Sequence, residues 1–313
     1  EQLAWFAGKV NGFRDETGDG SVNGDLTANI DSMAGTAYGG TDSAPLPWIP
    51  INQYSGKFGD GNAERYQIGK LRISQTGQAG LFGTVTGSGG SISKIGLVNS
   101  SITGDTAGGI AAVVTQNAVV SKCFNKSQIS ANGTADSYIG GIAGKVSAGG
   151  VIKDCYNMDS VITSRVTAAG KSSYAGGIAG GVVADGGAAG SIQNSYHANS
   201  RGGASGSVTA SGTAGSIAGT AATGAISRCY SDTKYGADNA AGVIAFDFTS
   251  DEMIQKQTDD LNTVGDAERM GNDRAWYTSL TAEDTHGLPT LKEPVIVEVS
   301  FDPAEIDAGA DKW

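Results

Sequence analysis

The six residues Ala175-Gly176-Gly177-Ile178-Ala179-Gly180 dominate the fold prediction, because variants of them recur along the chain. The other copies are Ala-Gly-Leu-Phe-Gly at 79–83, Ala-Gly-Gly-Ile-Ala at 107–111, Gly-Gly-Ile-Ala-Gly at 140–144, Ala-Gly-Ser-Ile-Ala-Gly at 214–219 and Ala-Gly-Val-Ile-Ala at 241–245. A second motif alternates with the first, as in Ile152-Lys-Asp-Cys-Tyr-Asn. Its other copies begin at Ile92, Val120, Ile192 and Ile226. Such self-similarity indicates a repeat architecture.

The two arcs between the motifs differ in how much their lengths vary. The arc from the glycine motif to the aliphatic motif takes 12, 12, 12, 16 and 11 residues, whereas the return arc takes 16, 20, 24, 23 and 16. A constant arc beside a variable one is typical of a repeat with one packed face and one face that carries insertions. We therefore expect the variable segments 131–137, 164–173 and 199–213 to cluster on one face.

The repeats have the composition of strands and turns. They are short and rich in Ile, Val, Thr and Tyr, with Gly, Asn, Asp and Ser clusters between them. The sequence therefore predicts an all-β chain with a β-solenoid over residues 50–246.

The segments on either side differ from the repeats. Residues 1–49 predict an N-terminal cap, with a short helix carrying Leu3, Phe6 and Val10 on one face and a strand over 25–31. Residues 247–292 predict a C-terminal capping segment, whose helix begins at the capping box Thr249-Ser-Asp-Glu252 and runs to about Val264. Residues 293–313 alternate like the start of a following β-domain.

These residues resemble the GLUG-motif family of bacterial cell-surface proteins, which is named for Gly-Leu-any-Gly. Gly80-Leu81-Phe82-Gly83 matches that motif, and Leu3-Ala-Trp-Phe-Ala, Trp48-Ile49-Pro50-Ile51 and Gly287-Leu288-Pro289 are similar to the family's flanking segments. The resemblance covers about residues 1–291. One departure is Phe58-Gly-Asp-Gly-Asn62-Ala, where the family usually has Phe-Asp-Gly-Asn-Gly.

The resemblance implies a fold, a location and a context. The fold is a right-handed parallel β-helix with small N- and C-terminal caps. The location is the cell surface or the extracellular medium, often within multidomain adhesin-like proteins. Similar repeats also lie upstream of the protease in immunoglobulin-A-specific metallopeptidases. The family implies no catalytic residues for the repeats themselves.

Composition excludes several other classes of protein. The net charge of −11 and the lack of a basic stripe argue against nucleic acid as a partner. No apolar run approaches the roughly 18 residues of a membrane span, and three cysteines do not make a disulfide scaffold. We expect a monomer without a cofactor.

When the repeats are aligned, equivalent positions of the second motif form columns of residues. Two neighbouring columns contain the residues of most chemical interest. One column holds Cys123, Cys155 and Cys229, with Ile95 and Ser195 in the other repeats, and we interpret it as a buried apolar column rather than a metal or redox site. The next column is aromatic and holds Phe124, Tyr156, Tyr196 and Tyr230. Alternation makes it an external ladder if the cysteines point inward. The pattern leaves open which column faces the core.

The aromatic side chains are the candidate ligand-binding residues. Besides that ladder, Tyr138 and Tyr174 each stand shortly before a Gly-Gly pair and could anchor a glycan or a host protein. Coil-to-coil stacking for stability is the competing interpretation.

Enzyme chemistry finds no support in the motifs. A column of Lys94, Lys122, Asp154, Asn194 and Arg228 has no second acidic column beside it, as a polysaccharide-cleaving site would need. His197 and His286 have no partner that spacing singles out, and no His-Glu-x-x-His occurs. The sequence thus favours a non-catalytic surface module for adhesion or ligand binding. The alternatives are a structural spacer and the non-catalytic region of a secreted peptidase or polysaccharide-degrading enzyme.

Overall fold

The computed structural model describes residues 2–12, 17–31, 33, 48–158, 160–198, 207–223 and 225–232, and three short strands after them. Within these ranges it has one helix, α1 (Gln2–Asn11), and 28 strands, which are numbered in chain order. The last two, β27 (Trp276–Thr278) and β28 (Pro289–Leu291), form an antiparallel pair. The other 26 strands belong to four parallel sheets.

The four sheets are named here A to D. Sheet A comprises β1 (Lys57–Phe58), β6 (Ser91–Ser93), β10 (Val119–Ser121), β14 (Val151–Lys153), β19 (Ser191–Gln193) and β24 (Ile226–Ser227). Sheet B comprises β2 (Tyr66–Gly69), β3 (Arg72–Ser74), β7 (Ile95–Gly104), β11 (Phe124–Ala131), β15 (Tyr156–Met158), β16 (Val161–Ser164), β20 (Tyr196–Ala198), β21 (Ser207–Ala210), β25 (Cys229–Asp232) and β26 (Met253–Lys256).

The two remaining sheets have five strands each. Sheet C comprises β5 (Phe82–Val85), β9 (Ala111–Val114), β13 (Ala143–Ser147), β18 (Ala179–Val183) and β23 (Ala218–Ala221). Sheet D comprises β4 (Gln78–Ala79), β8 (Thr106–Gly108), β12 (Ser137–Gly140), β17 (Ser173–Gly176) and β22 (Thr213–Gly215).

Each repeat contributes strands to the sheets in the order A, B, D and C. A strand pairs in parallel with the corresponding strand of the next repeat, so equivalent residues become neighbours. In sheet A, for example, Ile92, Val120 and Ile152 are successive partners. The register therefore follows the sequence repeat.

The predicted fold class is only partly right. The chain is all-β with parallel pairing, but the expectation of a single right-handed parallel β-helix is wrong, because the strands form four separate parallel sheets. Corners separate the sheets within each repeat. Between sheets A and B one residue of each repeat adopts a left-handed conformation, with φ between 48° and 54°. Those residues are Lys94, Lys122, Asp154, Asn194 and Arg228.

The corner between sheets D and C explains the first glycine of the repeated motif. A Cβ on Gly140 would lie 2.0 Å from the Ala143 carbonyl oxygen, and one on Gly176 would lie 1.9 Å from the Ala179 carbonyl oxygen. No side chain fits at such distances, so the turn requires glycine. Backbone pairing continues through the turn, since Ile142 N donates to Ile178 O at 2.9 Å.

The second glycine of the motif makes room for a side chain of sheet B. A Cβ on Gly141 would lie 2.3 Å from Asn157 Cγ, and one on Gly177 would lie 2.5 Å from His197 Cγ. These polar side chains are fully buried. The Gly-Gly corner and this polar column are therefore packed directly against each other.

The N-terminal helix is confirmed, and its apolar face is buried. Leu3, Phe6 and Val10 point into the protein, and the Phe6 ring lies 5.1 Å from the Phe58 ring. The strand expected over 25–31 is wrong, because these residues form no strand and only one isolated bridge, between Ile30 and Ile68, joins them to a later strand.

The C-terminal helix expectation is wrong where the structure describes that segment. Residues Met253–Lys256 form β26, which pairs in parallel with β25. The edge of a sheet offers unpaired backbone groups, and pairing with them outweighs the local capping signal. The rest of 247–292, apart from β27 and β28, and all of 293–313 lie outside the described residues, so the proposed domain division remains a prediction.

The glycine corner gives a direct test. We expect Gly141→Ala to destabilise the protein by about 1–3 kcal/mol or more, because the new methyl group would overlap Asn157 and the Gly177 backbone. Gly89→Ala is the matched control, since the nearest atom to its Cβ is one backbone oxygen at 3.3 Å. Urea unfolding of both variants measures the difference. Equal stability of the two variants would contradict the packing account.

Candidate functional site

The three cysteines lie in the core. Cys123, Cys155 and Cys229 are free and fully buried, and each thiol donates to the carbonyl two residues earlier, at 3.1, 3.2 and 3.3 Å. Burial raises the pKa of Cys155 well above its usual value and that of Cys229 to about 12. The protonated thiol is neither a nucleophile nor a metal ligand. Among the described residues no three His, Cys, Asp or Glu side chains could hold a metal.

The aromatic ladder is also buried. Phe124 is 4% exposed and Tyr156 and Tyr196 are fully buried, and their rings stack at 5.1 and 5.3 Å within 8° of parallel. The ladder lies outside the main apolar cluster, but the Arg65 guanidinium stacks 5.0 Å from the Phe124 ring. The expectation of an external platform is therefore wrong for these three rings, because their face of sheet B is covered.

Tyr230 continues this ladder by register. It pairs with Tyr196 in sheet B, while its side chain lies outside the described part of the chain. The ladder therefore stabilises the stack of repeats and offers no accessible ring among those described.

The neighbouring polar column is a buried hydrogen-bonded chain. Asn125 Nδ2 donates to Asn157 Oδ1 at 2.8 Å, and Asn157 Nδ2 lies 3.1 Å from His197 Nδ1. All three side chains are fully buried. His197 thus belongs to a structural ladder, and His286 lies outside the described residues.

Two accessible aromatic residues, Tyr138 and Tyr174, lie on the outer face of sheet D, while Trp5 on α1 is 70% exposed and Tyr66 in sheet B is partly exposed. Tyr138 and Tyr174 are register partners, and their rings stack at 5.0 Å with an angle of 22°. Both side chains are half-buried. Partial burial raises the pKa of the Tyr138 hydroxyl, which stays protonated at neutral pH.

Two outward columns, which together we call the outer strip, run along sheets D and C. The sheet D column is Gln78, Thr106, Tyr138, Tyr174 and Thr213. The sheet C column is Thr84, Val113, Lys145, Gly181 and Thr220. The columns touch, since Thr84 Oγ1 donates to Gln78 Oε1 at 2.7 Å and Lys145 Nζ lies 5.5 Å from the Tyr138 ring.

A glycine in the sheet C column makes room for the Tyr138 ring. A Cβ on Gly181 would lie 2.6 Å from Tyr138 Cδ1, so a larger residue would displace the ring. This position in the repeat carries a side chain in the other four repeats. A glycine at a position that otherwise carries a side chain is the sequence signal from which the packing of Tyr138 against Gly181 could have been predicted.

Two lysines beside the outer strip are paired with carboxylates. Lys145 forms an ion pair with Asp185 and lowers the pKa of that carboxyl group. Asp136 accepts a hydrogen bond from Ser172 N at 2.7 Å and pairs with Lys171 at 3.3 Å, and these contacts lower its pKa. Lys145 and Lys171 therefore already have carboxylate partners.

Two of the variable segments contact each other next to the strip. Thr167 N donates to Gly133 O at 3.0 Å. The ends of these segments are not free loops, because Ser137, Ser164 and Ser173 are buried and hydrogen-bonded to one another. The exposed parts are 132–136 and 165–172, and 199–206 lies outside the described residues.

A shallow groove, which the sequence analysis missed, lies at the Gln78 end of the strip. Its volume is about 580 Å³, and it is lined by Asn11, Ile49, Pro50, Asn52, Gln53, Gln75, Gln78 and Gly83. These residues come from the end of α1, the 49–53 segment and the start of the repeats. No repeat pattern connects them, so only the folded structure brings them together.

Comparison with known structures supports the fold. The chain is similar to a crystal structure from Bacteroides ovatus described as a "putative immunoglobulin A1 protease", with a TM-score of 0.53 and 19% identity over 90% of this chain and 89% of that one. At this identity the likeness shows the fold alone. No family model matches the chain, and no curated protein matches it.

The structure also bears on membrane association. No helix in the described ranges has the length and apolar character required to cross a bilayer.

The cysteine column gives the second test. We expect a thiol reagent to label none of the three cysteines in the folded protein, even above the pH of about 8.5 at which a free cysteine ionises, and all three after unfolding. Cys155→Val should cost less than about 1.5 kcal/mol, because a small apolar side chain replaces a buried thiol of similar volume. Mass spectrometry and urea unfolding provide the readouts. Rapid labelling of the native protein would show that a thiol is accessible and reactive.

Proposed function

We propose that this chain is a non-catalytic binding module of a larger cell-surface or secreted protein, and that the outer strip is its binding face. The observation that carries the proposal is the stacked, half-exposed pair Tyr138 and Tyr174. The two rings are held on adjacent strands of one sheet, with their charged neighbours already paired. The candidate ligands are a glycan or a host protein.

The two tyrosine rings are pre-organised for binding. A tyrosine has few rotatable bonds, so it loses little conformational entropy on binding, and it offers a flat apolar face together with a hydroxyl group. Tyr138 is held further by its seat on Gly181 and by the Lys145 ammonium group. A surface fixed before the ligand arrives avoids part of the ordering cost of association.

A structural spacer is the competing function. Cross-strand aromatic pairs stabilise sheets by about 0.2–1 kcal/mol, and the buried ladder of Phe124, Tyr156 and Tyr196 already has that role. A spacer would need the tyrosine pair for stability only. The two functions therefore differ in whether loss of the pair affects binding or only unfolding.

A region of a secreted peptidase is the third candidate. The description of the Bacteroides ovatus structure as a "putative immunoglobulin A1 protease" brings it into consideration, although a likeness at 19% identity concerns the fold. The described cysteines are buried as thiols and His197 is part of a buried ladder. These placements favour a supporting rather than a catalytic role for the described residues.

The tyrosine pair is tested by a double substitution. We expect Tyr138→Ala/Tyr174→Ala to weaken retention on immobilised mucin glycoproteins and epithelial cells at least tenfold, because truncating an anchoring aromatic side chain typically costs about 2 kcal/mol or more. The matched control is Lys153→Ala/Gln193→Ala, which changes a register pair on sheet A.

The outcomes separate the candidate functions. Retention that falls for the tyrosine variant and not for the control, with both proteins folded by circular dichroism, supports the binding face. Unchanged retention of the tyrosine variant overturns it. A lower unfolding temperature without any effect on retention would favour the spacer.

A further inference from the structure

The groove at the Gln78 end of the outer strip has an unusual lining. Five of its eight residues carry a side-chain amide: Asn11, Asn52, Gln53, Gln75 and Gln78. None of the eight is an acid or a base. An amide offers a donor and an acceptor at fixed geometry without a charge.

Two of these five amides, Asn11 and Asn52, hold the groove together. Asn11 Nδ2 donates to Pro50 O at 3.0 Å and Asn11 Oδ1 accepts from Asn52 N at 2.8 Å, which clamps this segment to the end of α1. Asn52 Oδ1 then accepts from Thr84 N at 3.1 Å. The wall of the groove is therefore tied both to the helix and to sheet C.

Of the other three amides, Gln75 donates its Nε2 to the Gln78 carbonyl oxygen, while Gln53 and Gln78 keep side-chain groups for a ligand. Gln53 is exposed, and among the described residues its side chain has no hydrogen-bond partner. Gln78 uses its Oε1 to accept from Thr84 and keeps its Nε2 donor for another partner. Gly83 forms the floor beside them, since a Cβ there would lie 2.9 Å from Asn52 Oδ1.

The apolar part of the groove is small. Ile49 is 56% exposed and Pro50 lies next to it. The groove therefore combines several neutral hydrogen-bonding groups with one short apolar wall. Sugars present the same combination, because their hydroxyl groups both donate and accept and one face of the ring carries C–H groups.

We propose that the groove binds a neutral oligosaccharide, which extends from Gln53 and Gln78 along the outer strip to the tyrosine pair. This inference rests on the proposed function and names its ligand class. Two strand spacings separate Gln78 from Tyr138, or roughly 10 Å at about 4.8 Å for each spacing. A ligand of several sugar units is needed to contact both.

The charge distribution distinguishes this ligand from the alternatives. An acidic glycan is usually held by arginine or lysine through charge-assisted hydrogen bonds, and Lys145 and Lys171 are already paired with carboxylates. A protein partner usually buries a larger apolar centre, whereas the groove exposes mainly amides. Burying a neutral hydroxyl group against an amide also costs far less than burying a charge.

The test uses the full chain and defined probes. The neutral probes are cellohexaose, mannohexaose, laminarihexaose and chitohexaose, and the acidic probes are a heparin hexasaccharide and hexagalacturonic acid. A panel of immobilised serum proteins is run in parallel. We expect at least one neutral probe to bind in calorimetric titration, with an affinity that changes less than about twofold between low and high salt because no ion pair forms.

Two matched variants locate the site. Gln53 and Gln116 are both exposed glutamines in the left-handed region, with φ of 49° and 52°, so glycine fits either position. We expect Gln53→Gly to weaken the neutral probe at least threefold and Gln53→Gly/Gln75→Ala at least tenfold. Gln116→Gly, outside the groove, should bind as the unmodified chain does. Thermal unfolding verifies that the variants are folded.

These titrations test the ligand class. The binding face is tested independently, by retention of the tyrosine variant. Loss of the neutral probe in the groove variants supports the inference. Binding of only acidic probes or only serum proteins overturns it, and so does binding by none of the probes or equal binding by Gln53→Gly/Gln75→Ala. In those cases the mucin and cell retention of the tyrosine variant still decides the proposed function by itself.

Discussion

The close approach of the Gly-Gly corner to the buried polar column is the constraint on which the other features of the structure depend. Asn125, Asn157 and His197 occupy the space that a Cβ on Gly109, Gly141 or Gly177 would fill. These side chains bond to one another along the stack, so the three central repeats each supply both a glycine and a polar partner at the same register. A buried polar group without its partner is costly, which makes this arrangement selective for one register.

A fixed register converts each sequence position into a column of like side chains. Serine provides another example, because Leu71 N donates to Ser100 Oγ, Ser100 N to Ser127 Oγ and Ser127 N to Ser160 Oγ, at 2.9–3.2 Å. These bonds satisfy backbone groups where the register of sheet B shifts between Lys126 and Gln128. Outward-facing side chains follow the same register. Tyr138 and Tyr174 occupy equivalent positions on adjacent strands, so their rings stack on the surface.

The sequence predicts what depends on the repeat and misses what depends on segments outside it. The parallel pairing, the buried cysteine column and the helix at Leu3–Val10 follow from periodicity and composition. The division into four sheets does not, because three of the five corner positions carry lysine or arginine, which give no signal for a left-handed conformation, and only Asp154 and Asn194 are residue types that favour it. The burial of the aromatic ladder depends in part on Arg65, and the groove depends on Asn11 and Ile49, which no pattern links to the repeats.

The two aromatic columns differ in a way that supports the proposal that the outer strip is a binding face. Stacking within the buried ladder and stacking between Tyr138 and Tyr174 have nearly the same ring separation, 5.1–5.3 Å and 5.0 Å. Packing alone does not require tyrosine on the strip, because Thr106 and Thr213 occupy the same column and complete the same strand pairing. The larger rings also require glycine at Gly181, which weakens a strand by the loss of a side chain. A half-exposed pair that strand pairing does not require, and that needs a glycine beside it, therefore supports the proposed binding role over a role in stability alone.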